Sequence, residues 1–382
     1  MNRAIPRLFG GVAGALALVA LLGLLIASSL PTSPRADAGW SSFADLQRPR
    51  AFAQALALPS GEILVVGGLD RDDPQVTNTK SELIDPLSQH VTVLQQPLLG
   101  RLHQSVTLGK DERVVMAGGV EWFNEHWIPV DRVDVYRTAT HSWSVGAPLK
   151  DARSDQAAVT LKDGRVMVIG GNFNTTLLRS VEIYDATSNM WKRVSELPRP
   201  RTQHTAITLR DGTVLVLGGV DSDGGATNTT FIYDPATDKW SQGPNMTVPR
   251  LQHATVLLPN GDVLLAGGDG LAAGTSEIYL ARDKRFEATG LLMEPRLVAQ
   301  IAALPDGRVV LTGGLPPQMA EYRPMSSTEI WDPVSRTWRL LTPTVAGRAW
   351  GTLLRVGSAL YLVSGNGSDE AAFRSVERLS IN

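Results

Sequence analysis

Seven arginines recur in this sequence at a spacing that would bring them together in a repeating fold. Each stands 17 residues before a glycine that ends a short β-rich run: Arg50, Arg101, Arg153, Arg201, Arg250, Arg296 and Arg348. Guanidinium groups form bidentate hydrogen bonds with carboxylates, so a ring of arginines would bind an anionic ligand. Six repeats also carry an acid at a matching position: Glu82, Asp134, Glu182, Glu277, Glu329 and Glu377. A structural ion pair in each repeat is the simpler interpretation, and Arg201 is the exception because Phe231 replaces its acid.

Polar pairs follow the arginines in only some of the repeats. Two and three residues after the arginine, the second to fifth repeats carry His103-Gln104, Asp155-Gln156, Gln203-His204 and Gln252-His253. The first, sixth and seventh repeats carry Phe52-Ala53, Val298-Ala299 and Trp350-Gly351. Side chains alternate along an extended chain, so the two members of a pair should face opposite ways. The polar half is the predicted ligand region, although His204 and His253 would equally serve as hydrogen-bonding contacts between repeats.

Composition excludes several kinds of chemistry. The chain of 382 residues has no cysteine, which excludes disulfides, thiolate nucleophiles, cysteine zinc sites and iron–sulfur clusters. Its six histidines show no metal-ligand spacing, and the sequence has neither a Gly-x-Ser-x-Gly elbow nor a phosphate-binding glycine loop. With 36 Lys and Arg against 38 Asp and Glu, the net charge is −2. We therefore expect no metal, no other cofactor and no nucleic-acid partner.

The elements that must position these residues follow from the repeat itself. Six diglycines and Gly365 recur at intervals of 46 to 52 residues. Turn dipeptides such as Asp211-Gly212 join two β-rich runs in these units, which is a strong hairpin signal. A third run carries an aromatic residue such as Tyr233, and a second aromatic, such as Trp240, follows seven residues later. Each unit is predicted to be four short antiparallel strands, a to d, which at this period form a propeller blade.

The unit also resembles a known repeat. Residues 201–219 read Arg-x-x-His-x-Ala-x-x-Leu-x-Asp-Gly-x-Val-Leu-Val-x-Gly-Gly, which is similar to the kelch repeat. The resemblance covers residues 40–382 and implies an all-β, seven-bladed kelch β-propeller over residues 39–382. It also implies that arginines at this strand position can contact acidic ligands. The last unit lacks a fourth strand, and the segment at Trp40 is predicted to supply it, so that the ring closes without exposed edges.

Strand direction predicts which face of the propeller binds a ligand. The b–c loops and the starts of the a strands lie on one face, and the short a–b and c–d turns lie on the other. The b–c loops vary in content, as binding loops do: blade 1 has residues 70–73, blade 2 has Trp122, Phe123 and Trp127, and blade 6 has residues 316–322. The two tryptophans would stack on a sugar, anchor a protein or fold back over the blade. The predicted ligand-binding residues are Arg101, His103, Trp122, Trp127, Arg153, Asp155, Arg201, His204, Arg250 and His253.

The first 38 residues differ from the rest of the chain. Arg3 and Arg7 precede an uncharged apolar run over residues 8–30, and a Pro/Ser stretch follows. The run is long enough to span about 30 Å of bilayer, while Ala36-Asp37-Ala38 offers a cleavage site. Residues 1–38 are therefore predicted to be a signal peptide or a transmembrane anchor helix. Either form delivers the propeller outside the cytoplasm, as a periplasmic or secreted protein or one held at the inner membrane through residues 8–30.

Two functions are compatible with this sequence. The favoured one is a non-catalytic, exported or membrane-anchored binding module that holds a protein or a glycan through the b–c loop face. The alternative rests on a resemblance to the N-acetylneuraminate epimerases, which have six blades. It implies a sugar isomerase or mutarotase with Arg201, His204, His253 and Asp155 as acid/base candidates. The chain also resembles the galactose oxidase propeller, but that copper site needs a tyrosine crosslinked to cysteine, and this chain has no cysteine.

Overall fold

The computed structural model describes residues 39–69, 79–94, 100–317, 322–368 and 372–381. The predicted signal or anchor segment, residues 1–38, lies outside the described residues. The blade 1 loop at residues 70–73 and residues 318–321 of the blade 6 loop also lie outside them. In the described part of the chain, no helix has both the length and the apolarity needed to cross a membrane.

Seven four-stranded antiparallel sheets form a closed ring around a central channel. The a strands are innermost and contact one another across all seven junctions, while strands b, c and d follow outward in each sheet. The all-β, seven-bladed propeller predicted from the repeat is therefore confirmed. Because each blade packs on two neighbours, its b strand is buried on both faces, as in Val214–Leu217 of blade 4.

The strand bounds follow the repeat closely. In the order a to d, the strands of blades 1 to 4 are Gln54–Ala57, Ile63–Val66, Glu82–Ile84 and Val91–Val93; Ser105–Leu108, Arg113–Ala117, Val133–Arg137 and Ser142–Val145; Ala157–Thr160, Val166–Ile169, Val181–Asp185 and Met190–Val194; Thr205–Thr208, Val214–Leu217, Thr230–Asp234 and Lys239–Gln242. Those of blades 5 to 7 are Ala254–Leu257, Val263–Ala266, Ser276–Leu280 and Arg285–Ala288; Gln300–Ala303, Val309–Thr312, Thr328–Asp332 and Thr337–Leu341; Thr352–Val356, Ala359–Val363, Phe373–Ser380 and Trp40–Arg50.

The N-terminal strand completes the last blade. Trp40–Arg50 pairs antiparallel with Phe373–Ser380, with Trp40 opposite Leu379. The indole Nε1 of Trp40 also donates a 3.0 Å hydrogen bond to Thr328 Oγ1 in blade 6. The strand therefore joins blade 7 to its neighbour as well as closing the ring.

The d-strand tryptophans of blades 2, 3, 4 and 6 have the same double role. Each packs against the c-strand aromatic of its own blade, as Trp191 does against Tyr184 with ring centroids 5.0 Å apart. The indole Nε1 then reaches the preceding blade, as in the 2.9 Å bond from Trp143 to Ser81 Oγ and the 2.9 Å bond from Trp338 to Ser276 Oγ. The repeated tryptophan thus connects neighbouring blades in addition to filling the core.

Additional short elements lie mainly on the b–c loop face. Two hairpins and one further pair of short strands occur there: Val120–Phe123 with His126–Pro129, Asn172–Phe173 with Thr176–Leu177, and Arg201–Thr202 with Val220–Asp221. The described 3-10 turns are Lys110–Glu112, Thr138–Thr140 and Gly270–Ala272. Since the opposite face carries mostly tight turns, the variation between blades is concentrated on the face predicted to bind.

Candidate functional site at the channel mouth

The seven arginines are fully buried, with 0% of each residue exposed. In six blades the guanidinium pairs with an acid of the same blade: Arg50 with Glu82, Arg101 with Asp134, Arg153 with Glu182, Arg250 with Glu277, Arg296 with Glu329 and Arg348 with Glu377. Burial lowers the pKa of Arg101 to about 10, and the Asp134 carboxylate opposes that shift. A guanidinium held in this way has no surface open to a ligand, so the geometry favours the structural role.

Arg201 is held without a paired acid. Its guanidinium carbon lies 4.6 Å from the ring centroid of Phe231, a cation–π contact. Its two terminal nitrogens donate hydrogen bonds to the Gly218 carbonyl, at 3.0 Å, and to Thr229 Oγ1, at 3.1 Å. Burial lowers the pKa of Arg201 to about 10, so it stays protonated near neutral pH. The exception in the repeat is therefore an alternative way of holding a buried cation.

The spacing of 17 residues has a structural cause. In blade 4, Arg201 donates to the carbonyl oxygen of Gly218, which stands 17 positions later. Its own carbonyl accepts a 2.9 Å hydrogen bond from Gly171 in blade 3. A Cβ on the first glycine of each of the six diglycines would lie only 2.4 to 2.9 Å from the arginine carbonyl of the next blade. The Arg and Gly-Gly landmarks thus form one inter-blade joint.

The third position after each arginine points into the packed interior. His204 and His253 are each 6% exposed, and their rings lie against Gly170 and Gly218 of the preceding blade. Burial and then the Arg250 charge lower the pKa of His253 to about 3. Burial, followed by the charges of Arg201 and His253, lowers the pKa of His204 well below its ordinary value. Both rings are therefore neutral and remote from a ligand in the channel.

The second position after each arginine forms the rim of the channel. All seven residues there adopt left-handed backbone angles, with φ between 49° and 57°: Phe52, His103, Asp155, Gln203, Gln252, Val298 and Trp350. Between consecutive blades from blade 2 to blade 6, the backbone carbonyl of one rim residue accepts a hydrogen bond of 3.0 to 3.4 Å from the backbone N–H of the rim residue in the next blade. The two members of each pair therefore differ in environment because of this left-handed residue before the a strand, and the extended chain assumed in the prediction is not what separates them.

His103 and Asp155 form an ion pair across blades 2 and 3. His103 Nδ1 lies 2.8 Å from Asp155 Oδ1, and the side chains are 39% and 27% exposed. Burial acts to lower the pKa of His103, but the Asp155 carboxylate outweighs it and raises that pKa above its ordinary value. Burial acts against ionisation of Asp155, yet His103 holds its pKa below the ordinary range. These are the two predicted site residues that the rim brings together.

An aromatic arc continues the rim on the other side of His103. The ring centroids of His103 and Phe52 are 5.6 Å apart. The ring centroids of Phe52 and Trp350 are 5.2 Å apart. Tyr322 stacks on Trp350 at 6.2 Å with only 5° between the ring planes. A cavity of about 350 Å³ opens beside this arc and is lined by residues of blades 7, 1 and 2. Its lining includes Phe52, Gln54, His103 and Trp350.

Sequence reasoning missed Phe52 and Trp350 because they belong to the blades without polar pairs. The signal that would have found them is the combination of a bulky aromatic at the rim position with a small residue directly after it. Ala53 and Gly351 follow these aromatics, whereas glutamine or histidine fills that position in blades 2 to 5. Small residues leave space, so the cavity lies beside the region that was predicted from polarity.

The blade 2 hairpin begins at Val120, which pairs with Leu102 directly before the rim residue His103. Trp122 lies opposite Trp127 in the register of its two strands. Their ring centroids are 5.2 Å apart with 64° between the planes, an edge-to-face pair. Phe123 at the tip is 61% exposed. The two predicted loop aromatics are therefore brought together with each other.

A second cavity, of about 380 Å³, is lined by Glu121 of this hairpin together with residues such as Arg132 and Val145. Arg132 lies 3.6 Å from the carboxylate of Glu121 and 3.7 Å from that of Asp134. Since Asp134 also pairs with Arg101, its charge is shared by two arginines. The hairpin base is thus linked to the buried ion pair of its own blade.

A metal centre does not fit the described residues. They contain no group of three His, Asp or Glu side chains placed to hold an ion. The copper–radical cofactor of the galactose oxidase group additionally requires a cysteine, and the sequence has none. The described residues therefore do not fit a copper–radical site.

The chain matches a family profile and is similar to solved structures. A family profile described as the KLHDC2/KLHL20/DRC7 Kelch-repeats domain matches residues 102–314. Among solved structures, the chain is similar to a fungal alcohol oxidase of the AA5 family in complex with copper. The TM-score is 0.73 at 18% sequence identity, and the match covers 90% of this chain and 76% of that chain. At this identity the likeness shows the fold alone. No curated protein sequence matches this chain.

Proposed function

Because this chain belongs to the kelch-repeat family, we propose that it is a non-catalytic binding module that holds a protein or a glycan on the b–c loop face. A kelch propeller supports a binding role in general, although a fold alone does not identify a ligand. The observation that carries the proposal is the blade 2 hairpin, because it presents aromatic side chains in a fixed arrangement on the face where the blades differ most.

The hairpin has the properties of a preorganised anchor. An isolated two-stranded hairpin is marginally stable, and the edge-to-face pair of Trp122 and Trp127 stabilises this one. The exposed Phe123 at its tip adds apolar surface. Tryptophans are enriched among the residues that dominate binding energy, and a rigid anchor loses little conformational freedom on binding. This surface therefore suits an apolar side chain of a protein or the C–H face of a sugar.

The binding role is tested by the partner that co-purifies with the full chain. We expect Trp122→Ala combined with Trp127→Ala to reduce retention of that partner about tenfold or more, as loss of two anchors should. The matched control is Leu87→Ala combined with Val334→Ala, because these residues are 97% and 91% exposed in c–d turns of the opposite face. Equal retention by the hairpin variant and the native chain would remove the hairpin from the binding site.

The proposal includes delivery outside the cytoplasm through residues 1–38. Sequencing of the mature N-terminus and protease protection in intact cells test it. A chain beginning at Gly39, or a full-length chain whose propeller is digested from outside the inner membrane, is expected. A full-length chain that fractionates with cytoplasmic proteins would contradict the export proposal and leave the binding proposal standing.

One observation favours the second candidate function, a sugar isomerase or mutarotase. The partly exposed pair of His103 and Asp155 offers a proton donor and acceptor next to the 350 Å³ cavity. Of the acid/base candidates, Arg201, His204 and His253 are buried, so Asp155 carries this alternative. It predicts faster anomer interconversion of sialic or uronic acids, followed by NMR and lost in Asp155→Asn. No acceleration by the native chain would exclude the enzyme.

A further inference from the structure

We propose that the cavity beside the aromatic arc binds one neutral sugar ring, in a subsite separate from the blade 2 hairpin. This inference rests on the proposed function and deepens it, because it chooses a glycan as the ligand of the channel mouth. It depends on three features of the cavity: the space available, the arrangement of aromatic and polar groups, and the balance of charge.

The space arises from a local departure from the repeat. In blades 2 to 5 the position after the rim residue is glutamine or histidine, and these side chains fill the interior beneath the neighbouring diglycine. In blades 1 and 7 the same position is Ala53 and Gly351, which both line the cavity. The resulting volume of about 350 Å³ lies at the lower end of the range of small-molecule sites. It suits a single ring better than a long chain.

One side of the cavity is aromatic. Phe52 and Trp350 line it, and their ring planes are inclined by 50°. Tyr322 packs on Trp350 with its ring plane nearly parallel to that of the indole. Both lining residues are partly exposed, so aromatic surface remains in contact with water there. The C–H-rich face of a pyranose would remove this aromatic surface from water.

Polar groups lie on the lining next to the aromatic side. Gln54 is held by a 2.8 Å bond from its Nε2 to the Gln104 carbonyl, and Thr352 Oγ1 accepts a 3.1 Å bond from the backbone N–H of Ala55. His103 is fixed by Asp155 through Nδ1, which directs its Nε2 away from that bond. Amide, hydroxyl and imidazole groups held in place are the kind of polar set that orients a ligand in a mainly apolar site.

Charge selects a neutral ligand. His103 is the titratable residue of this lining, and the Asp155 carboxylate compensates its charge. The neighbouring arginines Arg50, Arg101 and Arg348 are buried and paired with their own acids. A cation or an anion entering the cavity would lose its hydration without gaining an opposite charge, which is costly. A polyhydroxylated ring without net charge meets no such cost.

The test is a binding titration on the full chain with defined probes. Methyl β-D-galactoside, methyl β-D-glucoside and N-acetylglucosamine are compared with N-acetylneuraminate and choline by saturation-transfer NMR and tryptophan fluorescence. We expect at least one neutral sugar to bind, with saturation transferred to its C–H face, and both charged probes to bind more weakly. Trp350→Leu, which keeps apolar volume but removes the aromatic face, should weaken that sugar about tenfold.

Phe52→Leu provides a second variant in case Trp350→Leu does not fold, and it should also weaken the sugar severalfold. Phe173→Ala is the control, since it removes an aromatic from a hairpin of the same face and should leave sugar affinity within about twofold. Binding of no neutral sugar, tighter binding of either charged probe, or unchanged affinity in both lining variants would overturn the proposal. The tryptophan variants of the blade 2 hairpin should bind the sugar normally, so failure of this subsite is distinguishable from failure of the partner surface.

Discussion

The second and third positions after the repeated arginine place histidine in two chemically different environments. His103 lies at the rim and pairs with Asp155, while His253 lies one position further along its own repeat and faces the buried interior. The Asp155 carboxylate raises the pKa of His103 although burial opposes it, whereas burial lowers that of His253 to about 3. The two side chains should therefore affect stability with opposite dependence on pH.

For His103, the folded state binds the proton more tightly than the unfolded state, whose pKa is about 6.5. Its stabilisation is fully present below that pH and is lost as pH rises through the raised folded value. We expect His103→Gln to lower the free energy of unfolding more at pH 5.5 than at pH 9, measured by urea titration. An equal loss at both values would contradict the ion pair.

For His253, the unfolded state binds the proton first as pH falls below about 6.5. The native chain should therefore lose stability between pH 7 and pH 4.5, by roughly 2–3 kcal/mol from this residue alone. His253→Gln should remove that part of the loss, and Gln156 shows that blade 3 accepts glutamine at the same position. The measurement is the difference between native and variant urea midpoints at the two pH values. An unchanged difference would show that the ring is not buried as a neutral group.

In blade 7 the structure places Ser364, rather than Gly365, at the position of the first glycine, because Arg348 donates to the Ser364 carbonyl 16 residues later, whereas Arg201 donates to the Gly218 carbonyl 17 residues later. Gly365 therefore corresponds to the second glycine, and Ser364 occupies a position that is glycine in the other six blades. Its φ is 54°, it is 1% exposed, and within the described residues its hydroxyl has no hydrogen-bond partner. Because left-handed angles are costly for a residue with a Cβ, Ser364→Gly should raise the free energy of unfolding by about 1 kcal/mol. Gly313→Ser is the reverse control and should destabilise, since its Cβ would lie 2.4 Å from the Arg348 carbonyl. Denaturant midpoints of the two variants should move in opposite directions.

At the scale of elements, the Trp40 strand pairs with the last c strand and also contacts the neighbouring blade through a buried side chain. Trp40 is 8% exposed, and its indole bonds to Thr328 in the neighbouring blade. Trp40→Ala should therefore cost about 3–5 kcal/mol of unfolding free energy. Ser41→Ala, on the same strand but exposed, should change it by less than about 0.5 kcal/mol. Similar thermal midpoints for the two variants would mean that the strand does not hold the ring closed.

The elements that repeat were predictable, and those that do not repeat were less so. Spacing alone predicted the Asp211-Gly212 hairpin and the Trp40 strand, since each follows from turn chemistry or from a missing member of a regular series. The blade 2 loop was predicted as a surface, but its pairing of Trp122 with Trp127 was not, because cross-strand register depends on the turn between them. The left-handed angles at Asn124 and Glu125 make that turn.

At the scale of the whole molecule, the junctions between blades are not equal. The hydrogen bond from the second glycine to the arginine of the next blade measures 2.8 to 3.2 Å at six junctions, and 3.4 Å from Gly365 to Arg50, where blade 7 meets blade 1. Ser364 directly precedes this longest bond. We expect the amide of Gly365 to exchange with solvent faster than those of Gly171 and Gly219, measured by hydrogen exchange. Slower exchange at Gly365 would show that this junction is not the weakest.

The same ring explains why the candidate site was only partly predictable. The period of the arginines predicted a ligand site, yet that period is set by the inter-blade joint, and the arginine side chains are buried. The cavity instead lies where blades 7 and 1 depart from the pattern at Gly351 and Ala53. Replacing a large residue of the repeat by a small one creates a cavity only when neighbouring side chains do not fill the vacated volume. That outcome depends on packing across the ring and cannot be read from one repeat.

The central claim is that this propeller binds its partner on the b–c loop face, and a comparison of the two faces tests it most directly. A photo-crosslinking residue placed at Phe123, at the hairpin tip, is compared in cells with one placed at Leu87, which is 97% exposed on the opposite face. The account predicts a discrete crosslinked product from position 123 that is lost with Trp122→Ala and Trp127→Ala, and none from position 87. A product from position 87 alone, or equal products from both positions, would contradict it.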